Sequence, residues 1–299
     1  MIKRVLYLFL ILEILITLPA SAEMISREYN GTIYVEETTV KELENLFTKH
    51  HYLRFRALPN NEYPAIFVKK LPSDFNKIEQ QKYRNELFIR ILAPLALKIN
   101  EEIANERASL LRLERSFKQS NALSEDEIKH LESLASKYDY FTRLKDNERI
   151  ADQIDQLKIR INVVPPSILI AASAMETNWG FSRIAQQANS LYKEKVWYTN
   201  EGLEPLENKE EGYRFKIFKS LIESMRSFAL TFNSNIAYFN VWGARKAAID
   251  RQENLIGESI AYSLSVASNL PNFVGILDYT TAFYDLVQID NGKLKRIHQ

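Results

Sequence analysis

The sequence predicts a mostly α protein of the α+β class, in which helices dominate and one small β lobe is inserted. Apolar residues recur at helical spacing from residue 76 to 117 and again from residue 221 to 232. By contrast, residues 213–217 alternate apolar and polar side chains with a period of two, which is the pattern of a strand. Together with the β-like stretch 196–198, this segment predicts a small lobe between helices.

Composition limits the classes of protein to which the chain can belong. The chain has 299 residues, 46% of them hydrophobic and 11% aromatic, which is enough to form a sizeable core and excludes global disorder. The formal net charge of +1 gives no general electrostatic footprint for nucleic acid. The sequence has no cysteine, so disulfides, thiol nucleophiles and cysteine-bound metals are excluded. We expect neither a metal nor another cofactor, and no nucleic-acid partner.

Residues 1–22 have the pattern of a signal peptide. Lys3 and Arg4 precede the apolar run 5–18, and Ala20-Ser21-Ala22 forms a cleavage site before Glu23. The run is short for a membrane span and Glu13 interrupts it, although an uncleaved anchor is the alternative. The sequence therefore predicts export to a periplasm, with no stable membrane span after cleavage.

Residues 23–145 are predicted to form an N-terminal, mainly helical module. After a mixed start, in which residues 32–38 form a short strand, the helical pattern begins at Asn76, and Pro94 is expected to break or kink this helix. Ser124 and Glu127 then form a capping box for a helix that ends near residue 138. We predict that this module carries no chemistry of its own.

Residues 146–299 are predicted to form a second domain, which contains the small β lobe. Pro165 and Pro166 open a helix in which residues 168–175 are apolar on every side, as in a helix buried at the centre of a fold. Gly180 is a plausible terminator of this helix, and Ser220 with Glu223 caps a later one. Further helices are predicted over residues 183–189, 254–267 and 279–286.

The buried helix ends on a single acid, Glu176, which Trp179 and Gly180 follow closely. An apolar surrounding, the negative helix end and the nearby indole all favour the protonated form of this carboxyl group. A carboxylic acid kept protonated near neutral pH can donate a proton to the leaving oxygen of a glycosidic bond. The alternative is an acid of the last helical turn that simply points into solvent.

The segment VPPSILIAASAMETNWGFSRIAQQANSLY resembles the core motif of the bacterial peptidoglycan glucosaminidase family, also known as the mannosyl-glycoprotein endo-β-N-acetylglucosaminidase-like domain. That motif is an apolar helix ending in Ala-x-Glu-(Ser/Thr)-x-Trp-Gly, followed by a Ser-x-x-Ala helix and an Asn-x-Leu-(Phe/Tyr) exit. Downstream, residues 214–245 resemble the family's strand, capped helix and Asn-x-x-x-Ala-Tyr segment. Upstream, the segment that begins LPSDF resembles the Bax-like branch.

The resemblance covers about residues 65–245 and departs from the family pattern in two places. Lys193 stands where the exit motif commonly has glycine. The segment SVASNLPNFVGILDY matches the expected ending only loosely, so we carry nothing over beyond residue 245.

The resemblance implies a lysozyme-like catalytic domain and suggests roles for several residues. It makes Glu176 the catalytic acid and Tyr238 the tyrosine that faces it. Candidates for a second catalytic carboxylate are Glu201, Glu204, Glu207, Glu210 and Glu211. Glu201 and Glu211 are preferred because they lie nearest the predicted strands. Trp179 and Trp197 are candidates for stacking on sugar rings, or else for packing in the core.

The resulting expectation is an exported glycoside hydrolase acting on glycan strands of peptidoglycan. It would cleave the β-1,4 bond on the reducing side of N-acetylglucosamine, by general acid catalysis. A muramidase or lytic transglycosylase of the same fold remains an alternative, and so does an inactive scaffold that binds glycan or a partner. The sequence does not identify protein partners.

Overall fold

The computed structural model describes residues 24–143, 146–207, 209–251 and 272–297. The predicted signal peptide, residues 1–22, and the predicted helix over residues 254–267 lie outside the described residues. Among the helices that the structure describes, none combines the length and the apolar character that crossing a membrane requires.

Nine α-helices and seven short strands alternate along the described part of the chain. The helices are α1 (Val40–Lys49), α2 (Gln81–Ser120), α3 (Glu125–Lys137), α4 (Asp146–Arg160), α5 (Pro166–Thr177), α6 (Arg183–Ala188), α7 (Leu221–Ser234), α8 (Phe239–Arg251) and α9 (Phe273–Phe283). The strands are β1 (Ile25–Tyr29), β2 (Thr32–Glu37), β3 (Glu62–Pro64), β4 (Ile66–Val68), β5 (Lys195–Trp197), β6 (Tyr213–Phe215) and β7 (Lys293–Lys295). The predicted mostly α fold with a small β lobe is confirmed.

Helix α2 runs through the middle of the molecule and packs on α4, α5 and α7. Its segment from Leu87 to Leu97 is buried on every side, and Pro94 lies within it. Pro94 was expected to break or kink this helix; the break is excluded, since the helix continues through the proline, and the kink stays a prediction. The proline removes one backbone hydrogen bond, but its neighbours are packed on all faces, and this packing keeps the chain helical on both sides.

Helix α5 is the predicted buried helix, and nearly all of its residues are inaccessible to solvent. Pro166 occupies its first turn, where a missing N–H costs little. The next residue, Ser167, donates its backbone N–H and its hydroxyl to the carboxylate of Asp290, at 2.8 and 2.9 Å. Asp290 lies in the 3₁₀ turn Leu286–Asn291, so this late segment of the chain holds the start of α5.

Three small sheets surround the helices. In the first, β2 pairs antiparallel with β1 and parallel with β4. In the second, β3 pairs parallel with β7, which joins the N-terminal region to residues 293–295. The third sheet is the antiparallel pair β5–β6. We call this sheet, together with the loop that joins its two strands, the β lobe.

The hydrophobic core continues across the predicted boundary at residue 145. Buried side chains of α2, such as Leu95 and Ile99, belong to the same cluster as Ile154 of α4 and Leu169 of α5. The division into modules at residue 145 stays a prediction about which parts fold independently.

Candidate active site

The turn that follows Glu176 has an unusual backbone. Helix α5 ends at Thr177, and the next three residues, Asn178, Trp179 and Gly180, have φ values of 50°, 57° and 75°. The hydroxyl of Thr177 accepts a hydrogen bond from the N–H of Gly180 at 2.9 Å. Left-handed residues other than glycine are costly and cluster at functional sites. The tight turn fixes the helix end from which the Glu176 side chain projects.

Close packing beneath this turn explains Gly180. A β-carbon there would lie 2.8 Å from ring carbons of Phe88 and 3.1 Å from Leu71 Cδ1. The indole of Trp179 packs edge-on against Phe88, with ring centres 6.3 Å apart, and its centre is 4.5 Å from that of the Tyr284 ring. Trp179 therefore supports the turn from below, on the side of α2.

Glu176 forms an ion pair with Lys193. The side chain of Glu176 is 22% exposed, and its Oε2 lies 3.3 Å from Lys193 Nζ. Lys193 has a φ of 50°, a conformation that glycine adopts without strain, which accounts for glycine being common at this position of the motif. The acid therefore contacts a positive group, a partner that the sequence analysis did not anticipate.

Tyr238 is near enough to Glu176 to be affected by its charge. It ends the 3₁₀ turn Ile236–Tyr238, and its ring centre is 4.9 Å from that of Phe232. Burial, and then the negative charges of Glu176 and Glu194, raise the pKa of the Tyr238 hydroxyl to about 12. The hydroxyl is therefore protonated at neutral pH and can donate a hydrogen bond beside the acid.

Glu194 is a carboxylate that the sequence analysis missed. Its Oε2 accepts hydrogen bonds from Ser227 Oγ at 2.8 Å and from Lys216 Nζ at 3.5 Å. Its Oε1 is buried and has no hydrogen-bond partner within the described residues. The side chain is only 21% exposed. Glu194 stands between two lysines in the sequence, and such a run resembles a solvated surface; only its place directly after the exit motif could have indicated it.

The predicted residues of the β lobe lie in a more exposed setting. Glu201 is exposed, and its backbone N–H donates to Thr199 Oγ1 at 3.0 Å. Glu211 is 45% exposed, and its carboxylate is 4.0 Å from Lys195 Nζ. Trp197 is 49% exposed and its ring contacts that of Tyr213. Across the described ranges, neither glutamate forms an ion pair or hydrogen bond with Glu176, Tyr238 or Glu194.

The groups around Glu176 can give and accept protons at one place. Two partly buried carboxylates, Glu176 and Glu194, lie near one protonated phenol, that of Tyr238. Such carboxylates are the groups that hydrolysis of a glycosidic bond uses. In the part of the chain that the structure describes, no three His, Asp or Glu side chains are grouped so that they could hold a metal ion.

Comparison with known proteins agrees with this chemistry. The family model described as mannosyl-glycoprotein endo-beta-N-acetylglucosaminidase matches residues 151–281, which contain Glu176, Glu194 and Tyr238. This segment is therefore similar to the glucosaminidase family. The predicted resemblance is confirmed. The match continues past residue 245, so the limit that we set there from the loose C-terminal motif was too early.

Two further proteins are similar to the chain. Protein bax of Escherichia coli K12 is 26% identical over 165 residues, which cover 55% of this chain and 56% of that protein. The chain thus matches about half the length of this relative. The catalytic domain of the autolysin Auto from Listeria monocytogenes is 17% identical, with a TM-score of 0.33, over 60% of this chain and 97% of that domain.

Proposed function

We propose that the protein is an exported peptidoglycan hydrolase that cleaves the β-1,4 bond on the reducing side of N-acetylglucosamine. The observation that carries the proposal is the acid at the end of the buried helix α5, next to Lys193 and close to Tyr238. The glucosaminidase family match supports the same class of reaction. Action on peptidoglycan fits export, which the pattern of residues 1–22 suggests.

In this proposal Glu176 is the general acid that protonates the bridging oxygen. In the free protein its carboxylate is paired with the ammonium group of Lys193. A sugar that binds over Glu176 excludes water and takes the place of the ammonium group beside the acid. Lys193 would then restrain the acid until the substrate binds.

Tyr238 is assigned a role in orienting the reacting groups. Its protonated hydroxyl is placed to bond the acetamido group of the sugar or the attacking water. The 3₁₀ turn that carries it is capped by Asn235, whose side-chain oxygen accepts from the N–H of Ala237 at 2.9 Å. This cap gives the tyrosine a fixed backbone from which to act.

We propose Glu194 as the first candidate for the second carboxylate, ahead of Glu201 and Glu211. It is partly buried, its charge acts on Tyr238, and one of its oxygens has no partner in the described residues. Glu201 and Glu211 are more exposed, but they lie in the β lobe, which could close over a bound glycan. If none of the three is needed, the acetamido group of the substrate itself is the nucleophile.

Mass spectrometry of the products from purified peptidoglycan tests the reaction. The expected products have N-acetylglucosamine at the reducing end. The Glu176→Gln variant is the negative control, from which no product should be released. A reducing end of N-acetylmuramic acid would instead identify a muramidase, and an anhydro sugar would identify a lytic transglycosylase. If the folded protein binds glycan and releases no product, it is a scaffold and the proposed hydrolysis is wrong.

A further inference from the structure

A cavity lies between the start of α2 and α9, and Trp179 forms part of its wall. Its volume is about 610 Å³, which is within the usual range of a small-molecule site. Its walls come from Gln81, Asn85 and Glu86 of α2 and from Tyr279 and Phe283 of α9. Glu176, Glu194 and Tyr238 do not line it. We call it the α2–α9 cavity.

A buried amide in this cavity lacks a partner. Asn85 is 2% exposed, and its Nδ2 donates to the hydroxyl of Tyr284 at 2.7 Å. The other terminal atom of the amide, Oδ1, is buried without a hydrogen bond in the described part of the chain. If the amide is turned over, one terminal atom is still left unpaired. Buried polar groups are rarely left in this state, so the amide is suited to receive a group from a ligand.

An exposed aromatic surface forms the wall opposite Asn85. The rings of Tyr279 and Phe283 are one helical turn apart on α9 and stack at 5.5 Å with an angle of 25° between their planes. They are 65% and 61% exposed. Two large, stacked aromatic rings left open to solvent mark a binding surface. Flat ring faces of this kind suit the apolar face of a sugar ring.

The rim of the cavity is polar and charged. Arg56 Nη2 lies 3.5 Å from Glu86 Oε1, and Gln81 and Lys82 stand beside them on the first turn of α2. A ligand that fits must therefore present an apolar face to α9 and hydrogen-bonding groups to α2. An N-acetylated pyranose has one apolar face, several hydroxyl groups and an amide N–H that can donate to Asn85 Oδ1.

We propose that the α2–α9 cavity binds an N-acetylhexosamine unit of a glycan strand, apart from the bond that is cut. The choice of this sugar rests on the proposed function. Arg56, Gln81, Asn85 and Phe283 lie outside the segment that matches the glucosaminidase family. The cavity is thus built jointly by the family domain and the surrounding chain, and it would anchor the polymer while Glu176 acts on another unit.

A photoreactive sugar tests where the glycan binds. The full-length Glu176→Gln variant is mixed with tri-N-acetylglucosamine that carries a diazirine group, irradiated and digested, and the labelled peptides are identified by mass spectrometry. We expect labels on peptides that contain residues 276–284, in addition to any near the acid. In the same background, Tyr279→Ala with Phe283→Ala should lower this label about tenfold. Labelling confined to peptides around residues 176–194 would overturn the proposal.

Exposed aromatics elsewhere provide the matched control. Tyr29 and Phe141 are 66% and 75% exposed, and Tyr29→Ala with Phe141→Ala removes the same ring types without touching the cavity. This control should label as the parent does, and circular dichroism should show all variants folded. If the control loses the label equally, the effect of Tyr279 and Phe283 is not specific and the proposal is wrong.

Turnover separates this proposal from the proposed function. With Glu176 intact, Tyr279→Ala with Phe283→Ala should slow release from insoluble peptidoglycan and leave hydrolysis of a short soluble glycan unchanged. If the protein releases no product at all but residues 276–284 are labelled, the hydrolase assignment fails and the cavity stands. If product is released and these substitutions change neither label nor release, the cavity assignment fails alone.

Discussion

The end of helix α5 and the β lobe both carry glutamates, but those near the helix end are partly buried and those in the β lobe are exposed. At the helix end Glu176 is 22% exposed and paired with Lys193, and Glu194 nearby is 21% exposed and bonded to Ser227 and Lys216. In the β lobe Glu201 and Glu211 lie in or near solvent. The isolated acid after the apolar run is thus partly buried and paired with a lysine, whereas the acids of the Glu-rich run are mostly solvated.

The difference follows from how many neighbours each backbone segment has. The turn after α5 packs on Phe88 and Leu71 of the interior, whereas the turn at Gly212, next to Glu211, has open space around it. The backbone at Gly202, next to Glu201, is crowded only by residues of β5 and β6. A crowded turn holds a side chain in one direction, which general acid catalysis requires. The comparison therefore predicts which glutamates carry chemistry, and the following experiments test it in order of expected effect.

Glu176→Gln should have the largest effect. The amide keeps the size of the side chain but has no proton to donate to a leaving oxygen, so we expect turnover of peptidoglycan to fall about 10²- to 10⁴-fold. Release of soluble product is measured for variant protein whose melting temperature equals that of the parent. Near-normal release by a folded Glu176→Gln protein would remove Glu176 from the reaction.

Glu194→Gln should rank next, with a fall in kcat of roughly 10- to 100-fold. The same substitution at Glu201 and at Glu211 provides controls of identical chemistry at exposed positions, and these variants should keep turnover close to that of the parent. If Glu201→Gln or Glu211→Gln gives the larger loss, the second carboxylate belongs to the β lobe. A Glu194→Gln protein that is less stable but fully active would show a structural role only.

Gly180→Ala tests the crowding of the turn directly, with Gly212→Ala as the matched control. Both glycines have positive φ, 75° and 73°, but only the added methyl group at residue 180 meets Phe88. Each change costs about 1–2 kcal/mol for the backbone conformation, and Gly180→Ala should cost a further 1–2 kcal/mol or so for the clash. Urea unfolding of both variants measures the difference. Equal losses of unfolding free energy would mean that the turn at Gly180 is no more crowded than the turn at Gly212.

Tyr238→Phe should lower kcat about tenfold with little change in KM. Because the folded pKa of Tyr238 is raised from 10.0 to about 12, the hydroxyl stays protonated through neutral pH, and the Phe variant should keep the shape of the pH–rate profile. The raised pKa stabilises the fold fully below pH 10, and this stabilisation is lost as pH rises towards 12. The Phe variant should therefore lose less stability than the parent between these pH values. Full activity of Tyr238→Phe would exclude Tyr238 from the site.

Lys193→Met should have the smallest effect, and it should raise turnover, whereas the other substitutions at the site lower it. Removing the ammonium takes away an ion pair that a bound substrate has to displace from Glu176, so turnover at neutral pH should rise about two- to fivefold. Lys193→Arg keeps both the charge and the backbone conformation and should behave like the parent. Assays of the three proteins at one pH and ionic strength give the comparison. A loss of activity in Lys193→Met would mean that the ion pair positions Glu176 for the reaction.

Local signals in the sequence predicted the elements that position the acid. The proline pair and the apolar residues 168–175 predicted α5, and the alternation of residues 213–217 predicted β6. The predicted capping box at Ser124 is present, with both hydrogen bonds formed. Each of these patterns depends on neighbours a few residues away, which a sequence displays directly.

What the sequence did not predict depends on distant contacts. Pro94 remains inside α2 because packing from several elements outweighs one lost hydrogen bond. Glu194 is partly buried because Ser227 and Lys216, from later elements, hold its carboxylate. No local pattern shows that a glutamate between two lysines will be turned inward. The role of Glu176 stays a prediction from the sequence, and only the structure identified Glu194 as a second candidate.

The pairing of β3 with β7 limits the order in which parts of the chain can fold during synthesis. Strand β3 lies at residues 62–64, and its partner lies at residues 293–295, so almost the whole chain must be synthesised before this sheet can form. Asp290, which caps the start of α5, is also made long after that helix. The contact between the start of α5 and Asp290 therefore forms only after residue 290 has been made, and the β3–β7 sheet only after residue 295. A nascent chain of this protein stays incompletely folded, and exposed to proteases and chaperones, for most of its synthesis.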